Sequence, residues 1–106
     1  MSTCSTHVLD AALGVPAAAL TVTLYDPQGR LMTTATTDAD GRVGFDLELG
    51  AGTHSVIFDS GGYFAAAERD TFYPEVAVSF TIDPEQSHYH VALLLSPYAY
   101  TTYRGS

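Results

Sequence analysis

Apolar and polar residues alternate along most of this chain with a period of two. Leu20, Val22 and Leu24 interleave with Thr21, Thr23 and Tyr25, and Val43, Phe45, Leu47 and Leu49 with Gly44, Asp46 and Glu48. Successive side chains of an extended chain point to opposite sides, so this pattern predicts strands with one buried face. Further β-rich runs span Cys4–Asp10, Leu31–Thr37, Thr53–Asp59, Val76–Ile82, His88–Ser96 and Tyr98–Tyr103. Turn-forming residues separate them, notably Pro27-Gln28-Gly29 and Asp38-Ala39-Asp40-Gly41, and the latter reads as a hairpin turn. Eight short strands imply an all-β sandwich or barrel. Helix-favouring composition is confined to Tyr63–Arg69, and Pro74 ends whatever follows. The alanine-rich stretch from Ala11 to Ala19 predicts a loop around Gly14 and Pro16.

Composition narrows the class. With 106 residues, 46% of them hydrophobic and 15% charged, the chain fits one globular domain over residues 1–106. No apolar run approaches the roughly 18 residues that cross a bilayer, and the N-terminus lacks a secretory pattern, so a soluble cytoplasmic protein is expected. The single cysteine, Cys4, has no intramolecular partner and is expected to pack as a small hydrophobe. Twelve acids against four arginines, with no lysine, give a net charge of −8, which disfavours nucleic acid and anionic lipid as partners. Arg30, Arg42, Arg69 and Arg104 are then the permanent side-chain cations available to an anionic small molecule. No charge occurs between Val91 and Tyr103, and Pro97 divides that stretch into a hairpin. An edge without lysine invites pairing with another chain, which predicts a homo-oligomer built strand to strand.

Histidine moves protons near neutral pH, and His7, His88 and His90 lie on predicted strands near the two ends, with His54 on a third. His88 and His90, two apart, share one side of their strand. A single strand histidine is more often a structural residue than a catalytic one. A His-x-His pair with His7 is also compatible with zinc, although the favoured reading needs neither metal nor cofactor. The Asp38-Ala39-Asp40-Gly41 run lacks the later oxygen ligands of a calcium loop. Neither a nucleophile-elbow serine nor a phosphate-cradling glycine loop occurs.

The ends of the chain carry a resemblance. Ser5-Thr6-His7-Val8-Leu9-Asp10, the run from His88-Tyr89-His90 to Ser96-Pro97, and the terminal Tyr103-Arg104-Gly105-Ser106 resemble the signature segments of the 5-hydroxyisourate hydrolases of the transthyretin-like family. The resemblance extends through Asp40-Gly41-Arg42, Gly62-Tyr63-Phe64 and Phe72-Tyr73-Pro74-Glu75-Val76, so it covers essentially the whole chain. It implies two four-stranded sheets in a transthyretin-like sandwich with one short helix. The fourth, first, seventh and eighth predicted strands would lie side by side, bringing Arg42, His7, His90 and Tyr103 into one polar row that faces a channel of a homotetramer, a dimer of dimers. It further implies hydrolysis of 5-hydroxyisourate in urate breakdown. His7, Arg42 and His90 would be catalytic, with substrate contacts from Tyr103, Arg104 and Ser106. In this scheme a histidine, His7 foremost, takes a proton from water attacking the lactam carbonyl. His90 positions the ring or shuttles the proton, and Arg42 stabilises the oxyanion. The bland readings are that Arg42 pairs with Asp40 or Asp46, that Arg104 is a frayed terminal charge, and that Tyr103 and Ser106 are an ordinary edge tyrosine and a mobile last residue. Ala92 stands where many of these hydrolases have proline, which restores a backbone donor beside the site. The alternative function is a non-catalytic small-ligand binding module of the same fold.

Overall fold

The computed structural model describes residues 2–105. In chain order these form β1 (Ser2–Asp10), β2 (Val15–Pro16), β3 (Thr21–Tyr25), β4 (Leu31–Thr36), β5 (Arg42–Leu49), β6 (Gly52–Phe58), α1 (Ser60–Ala66), β7 (Val76–Ile82), β8 (His88–Ser96) and β9 (Ala99–Gly105). One sheet runs β4-β3-β6-β7, with every pair antiparallel. In the other, β1 is central. It pairs with β8 in parallel on one edge and with β5 and β2 antiparallel on the opposite edge, and β9 lies beyond β8.

The expected neighbours β5, β1, β8 and β9 are therefore adjacent, and two sheets form the expected sandwich. The difference is β2, a fifth strand in the second sheet that falls inside the predicted loop. Its cause lies in the length of β5, whose pairing with β1 ends at His7. Leu9 and Asp10 are left with a free edge, which Pro16 and Val15 cover. Two residues are too few to show a period in the sequence.

The core lies between the sheets. Leu20, Val22 and Leu24 of one sheet and Val8, Leu93 and Leu95 of the other are buried, as their alternation requires. Cys4 joins them, and burial pushes its thiol up to about 12, which suits a packing residue and not a nucleophile.

The helix starts three residues earlier than composition suggests, at Ser60 instead of Tyr63. Asp59 caps it by accepting from the Gly62 N–H at 3.0 Å. Two glycines in the first turn weaken helix propensity, yet Gly61 is required there. A side chain on it would press on the Pro74 carbonyl oxygen at 2.7 Å, the same oxygen that accepts the Gly61 N–H. Beyond the helix, Arg69 reaches the buried Asp10 at the end of β1, with Nη1 donating to Oδ2 at 2.6 Å and Tyr63 Oη donating to the same oxygen at 2.9 Å. This is the salt bridge found among the described residues, and it ties the helix segment to the central strand of the opposite sheet.

Candidate active site

The outward face of the β1 sheet holds His7, His88 and His90, whereas His54 is buried on β6 of the other sheet. On β1, Ser2, Cys4, Thr6 and Val8 point into the core, so Thr3, Ser5 and His7 point outward. On β8, Tyr89, Val91 and Leu93 are buried, which turns His88, His90 and Ala92 to the same outer face. The parallel pairing sets Thr3 beside His88, Ser5 beside His90 and His7 beside Ala92. The His7 and His90 rings lie 6.5 Å apart between centroids, tilted by 39°, too far for a direct hydrogen bond.

Arg42 arrives at this face by way of a tight turn. Asp38 Oδ1 accepts the N–H groups of Asp40 and Arg42 at 2.9 and 3.0 Å, and its carbonyl accepts the Gly41 N–H at 2.9 Å. Gly41 has φ 77°, and a Cβ there would collide with the Val8 carbonyl. The turn thus sits directly against β1 and delivers Arg42 to the position opposite His7. The turn itself was expected, but it does not close a hairpin. β4 and β5 belong to different sheets, so Asp38–Gly41 forms the corner where the chain crosses the sandwich.

Hydrogen bonds fix the two β8 imidazoles. Ser5 Oγ lies 2.7 Å from His90 Nδ1 and 2.8 Å from His88 Nε2, and Thr3 Oγ1 lies 2.6 Å from His88 Nδ1. On the far side, Gly105 pairs with His90 in the β8–β9 ladder, and a side chain at that position would overlap the His90 ring. Burial first, and then the charges of Arg42, His7 and His88, push the His90 pKa below its ordinary value of 6.5. His90 is consequently neutral at pH 7, the form a general base needs.

The expected single row is bent. Arg42, His7 and Tyr103 do fall at one register level, but the β8 residue at that level is Ala92. His90 lies one outward position away, level with Ser5 and Gly105. The discrepancy comes from the β1–β8 stagger, which alternation within single strands does not reveal. Tyr103 is half exposed on the outer face beside Ala92. Arg104 takes the opposite side of β9, with its guanidinium 5.1 Å from the centre of the Tyr89 ring. It also lines a hollow of about 560 Å³ together with His88, His90 and Gly105. Ser106 lies outside the described residues. Arg42 forms no ion pair with Asp40 or Asp46. Ser5, Thr3 and His88 were not among the expected site residues. The available signal was their period-two spacing from His7 and His90.

A transthyretin-type sandwich with a histidine–arginine face defines the class of protein, and comparison with known proteins agrees. The chain belongs to the HIUase/Transthyretin family, whose model matches residues 4–105. It is 46% identical to 5-hydroxyisourate hydrolase 2 of Rhizobium meliloti over 113 residues, covering 96% of this chain and 94% of that protein. Among solved structures it resembles 5-hydroxyisourate hydrolase of Klebsiella pneumoniae, with TM-score 0.92, 36% identity and coverage of 100% of this chain and 94% of that one. It also resembles sea bream transthyretin in complex with thyroxine, with TM-score 0.88, 31% identity and coverage of 96% and 93%.

Proposed function

We propose that this chain is an enzyme that hydrolyses 5-hydroxyisourate, opening its ring in urate degradation by adding water across a cyclic amide C–N bond. The observation that carries the reading is the convergence of His7, His90 and Arg42 on one outward face, with the two imidazoles 6.5 Å apart between centroids. His90 takes the proton from water as the oxygen attacks the lactam carbonyl. The base is thus assigned to His90 and not, as first expected, to His7. The reason is geometric: His90 has its Nδ1 held by Ser5 and its ring backed by Gly105, whereas His7 makes no side-chain hydrogen bond among the described residues. His7 binds the attacked edge of the substrate. Arg42 binds the anionic edge and stabilises the developing oxyanion, a task suited to a fixed planar cation. Tyr103, Arg104 and Ser106 complete the substrate site, Tyr103 from the level of His7 and Arg104 as a charge at the rim of the hollow beside His90.

The active species is a homotetramer in the cytoplasm, assembled through sheet edges. Its support is β9, an edge strand with β8 on one side and exposed side chains along nearly its whole length. No helix among the described residues is long and apolar enough to cross a membrane.

Fresh 5-hydroxyisourate mixed with the protein should lose its ultraviolet absorbance far faster than in buffer. Decay at the buffer rate would leave the non-catalytic binding module as the reading.

A further inference from the structure

We infer that Ser5 and His88 form a proton relay behind His90, connecting the base in the groove to solvent. The inference rests on the assignment of His90 as the base. Its evidence is the unbroken chain from His90 Nδ1 through Ser5 Oγ to His88 Nε2, at 2.7 and 2.8 Å, and on from His88 Nδ1 to Thr3 Oγ1 at 2.6 Å. Hydroxyl and imidazole alternate because β1 and β8 run parallel in a register that sets Thr3 beside His88 and Ser5 beside His90.

A hydroxyl has one proton, so between two imidazole nitrogens it donates to one and accepts from the other. The tautomers of His90 and His88 are therefore linked through Ser5. When His90 carries its proton on Nδ1, it donates to Ser5, Ser5 donates to His88 Nε2, and the His88 Nδ1–H points at Thr3. This arrangement leaves the His90 Nε2 lone pair open to receive a proton. The reversed arrangement places a proton on Nε2. Conversion between the two needs no ring to rotate. A catalytic histidine is commonly oriented by a carboxylate or backbone carbonyl. Among the described residues no carboxylate meets either β8 imidazole, and the chain ends instead at His88, an exposed side chain able to exchange protons with water.

The balance closes. As the water oxygen bonds to the carbonyl carbon, its proton passes to His90 Nε2. The Nδ1 proton moves to Ser5, the hydroxyl proton of Ser5 moves to His88 Nε2, and His88 releases its Nδ1 proton to solvent. When the C–N bond breaks, the leaving nitrogen takes the Nε2 proton and the chain runs backward, with His88 drawing a proton from solvent. One water is divided between carbon and nitrogen, and every group returns to its starting state.

The test compares Ser5→Ala, His88→Gln and His90→Ala in the whole chain. Glutamine at position 88 keeps a hydrogen-bonding group near Ser5 but cannot titrate. Ser5→Ala and His88→Gln should each lower kcat about tenfold or more, below the ~10²–10⁴-fold loss of the base itself, with KM nearly unchanged. Added imidazole should restore the kcat of His88→Gln in a saturable manner and leave the unaltered enzyme unaffected. Nitrogen NMR should show His90 losing its preference for Nδ1–H in Ser5→Ala. A His88→Gln enzyme that turns over at the full rate, or one that is slow and unresponsive to imidazole, overturns the relay. If His90→Ala keeps full turnover, the assignment of the base fails instead, a result distinct from a slow His90→Ala beside fast Ser5→Ala and His88→Gln.

Discussion

Gly105 stands opposite His90 in the β8–β9 ladder, where even a methyl group would occupy the volume of the imidazole. Gly105→Ala should therefore displace the ring. Misplacement of a reacting group by about 1 Å commonly costs about 10²-fold, so kcat should fall by that order while the fold persists, as circular dichroism would show. An unchanged kcat would mean that the ring has another stable seat. The His90 environment also predicts the pH response. Its pKa is lowered, and with His90 as the proposed base the neutral form is the active one, so activity should be lost as pH falls through a value below 6.5. The acidic limb of kcat/KM should lie below that pH, and in Arg42→Gln the His90 titration followed by NMR should move upward as a repelling charge is removed. A midpoint that stays put would separate Arg42 from His90 electrostatically. Residue by residue, the sequence was partly legible. His7, Arg42 and His90 could be named from their motifs, but the linkage of His90 to Ser5 depends on which residues of β1 and β8 stand side by side, and no local pattern encodes that.

Elements were legible where alternation was long. β3 and β5 follow their apolar positions closely, whereas β2 is too short to show a period, its two residues pairing with Leu9 and Asp10 just upstream, and the start of α1 depends on a contact with Pro74, well beyond the helix. The end of α1 shows a local conflict between residue and conformation. Arg69 N–H donates to the Phe64 carbonyl at 2.9 Å and Glu68 N–H to the Ala65 carbonyl at 3.0 Å, a Schellman ending in which Glu68 takes the left-handed position at φ 56°. Glycine is the residue suited to that place. Glu68→Gly should raise stability by roughly 1 kcal/mol, the strain removed being offset in part by greater freedom of the unfolded chain. Urea denaturation would report this, and a destabilised variant would show that the Glu68 side chain holds something the backbone does not.

The two layers of the molecule are joined by more than apolar packing. Burial alone would raise the Asp10 carboxyl. Hydrogen bonds from Arg69, Tyr63 and the Leu13 N–H, with the charge of Arg69, overcome it and hold the group below its ordinary range. A carboxyl lowered in this way contributes stability above the unfolded pKa of about 4, and the contribution fades as pH falls through the folded value. Arg69→Met should cost roughly 3 kcal/mol at pH 7 by leaving a buried charge without its partner, and the deficit relative to the original chain should shrink in acid below about pH 4. A deficit independent of pH would assign the loss to packing of Arg69 over Phe64. Sedimentation at working concentration should show a species of four chains, and a monomer would remove the edge-pairing reading. That oligomer was suggested by the absence of charge from Val91 to Tyr103, a feature of composition, while the Asp10–Arg69 bond gave no sequence signal because its partners are 59 residues apart.

The parallel ladder between β1 and β8 joins residues 2–10 to residues 88–96. During synthesis the first strand must wait for β2 to β7 and the helix to be made before its parallel partner exists. Contacts of such long sequence separation slow folding. Catalytic competence should therefore appear late and all at once, after the β8–β9 hairpin has been laid down, and no nascent fragment lacking β8 could bring His88 or His90 to the side of Ser5.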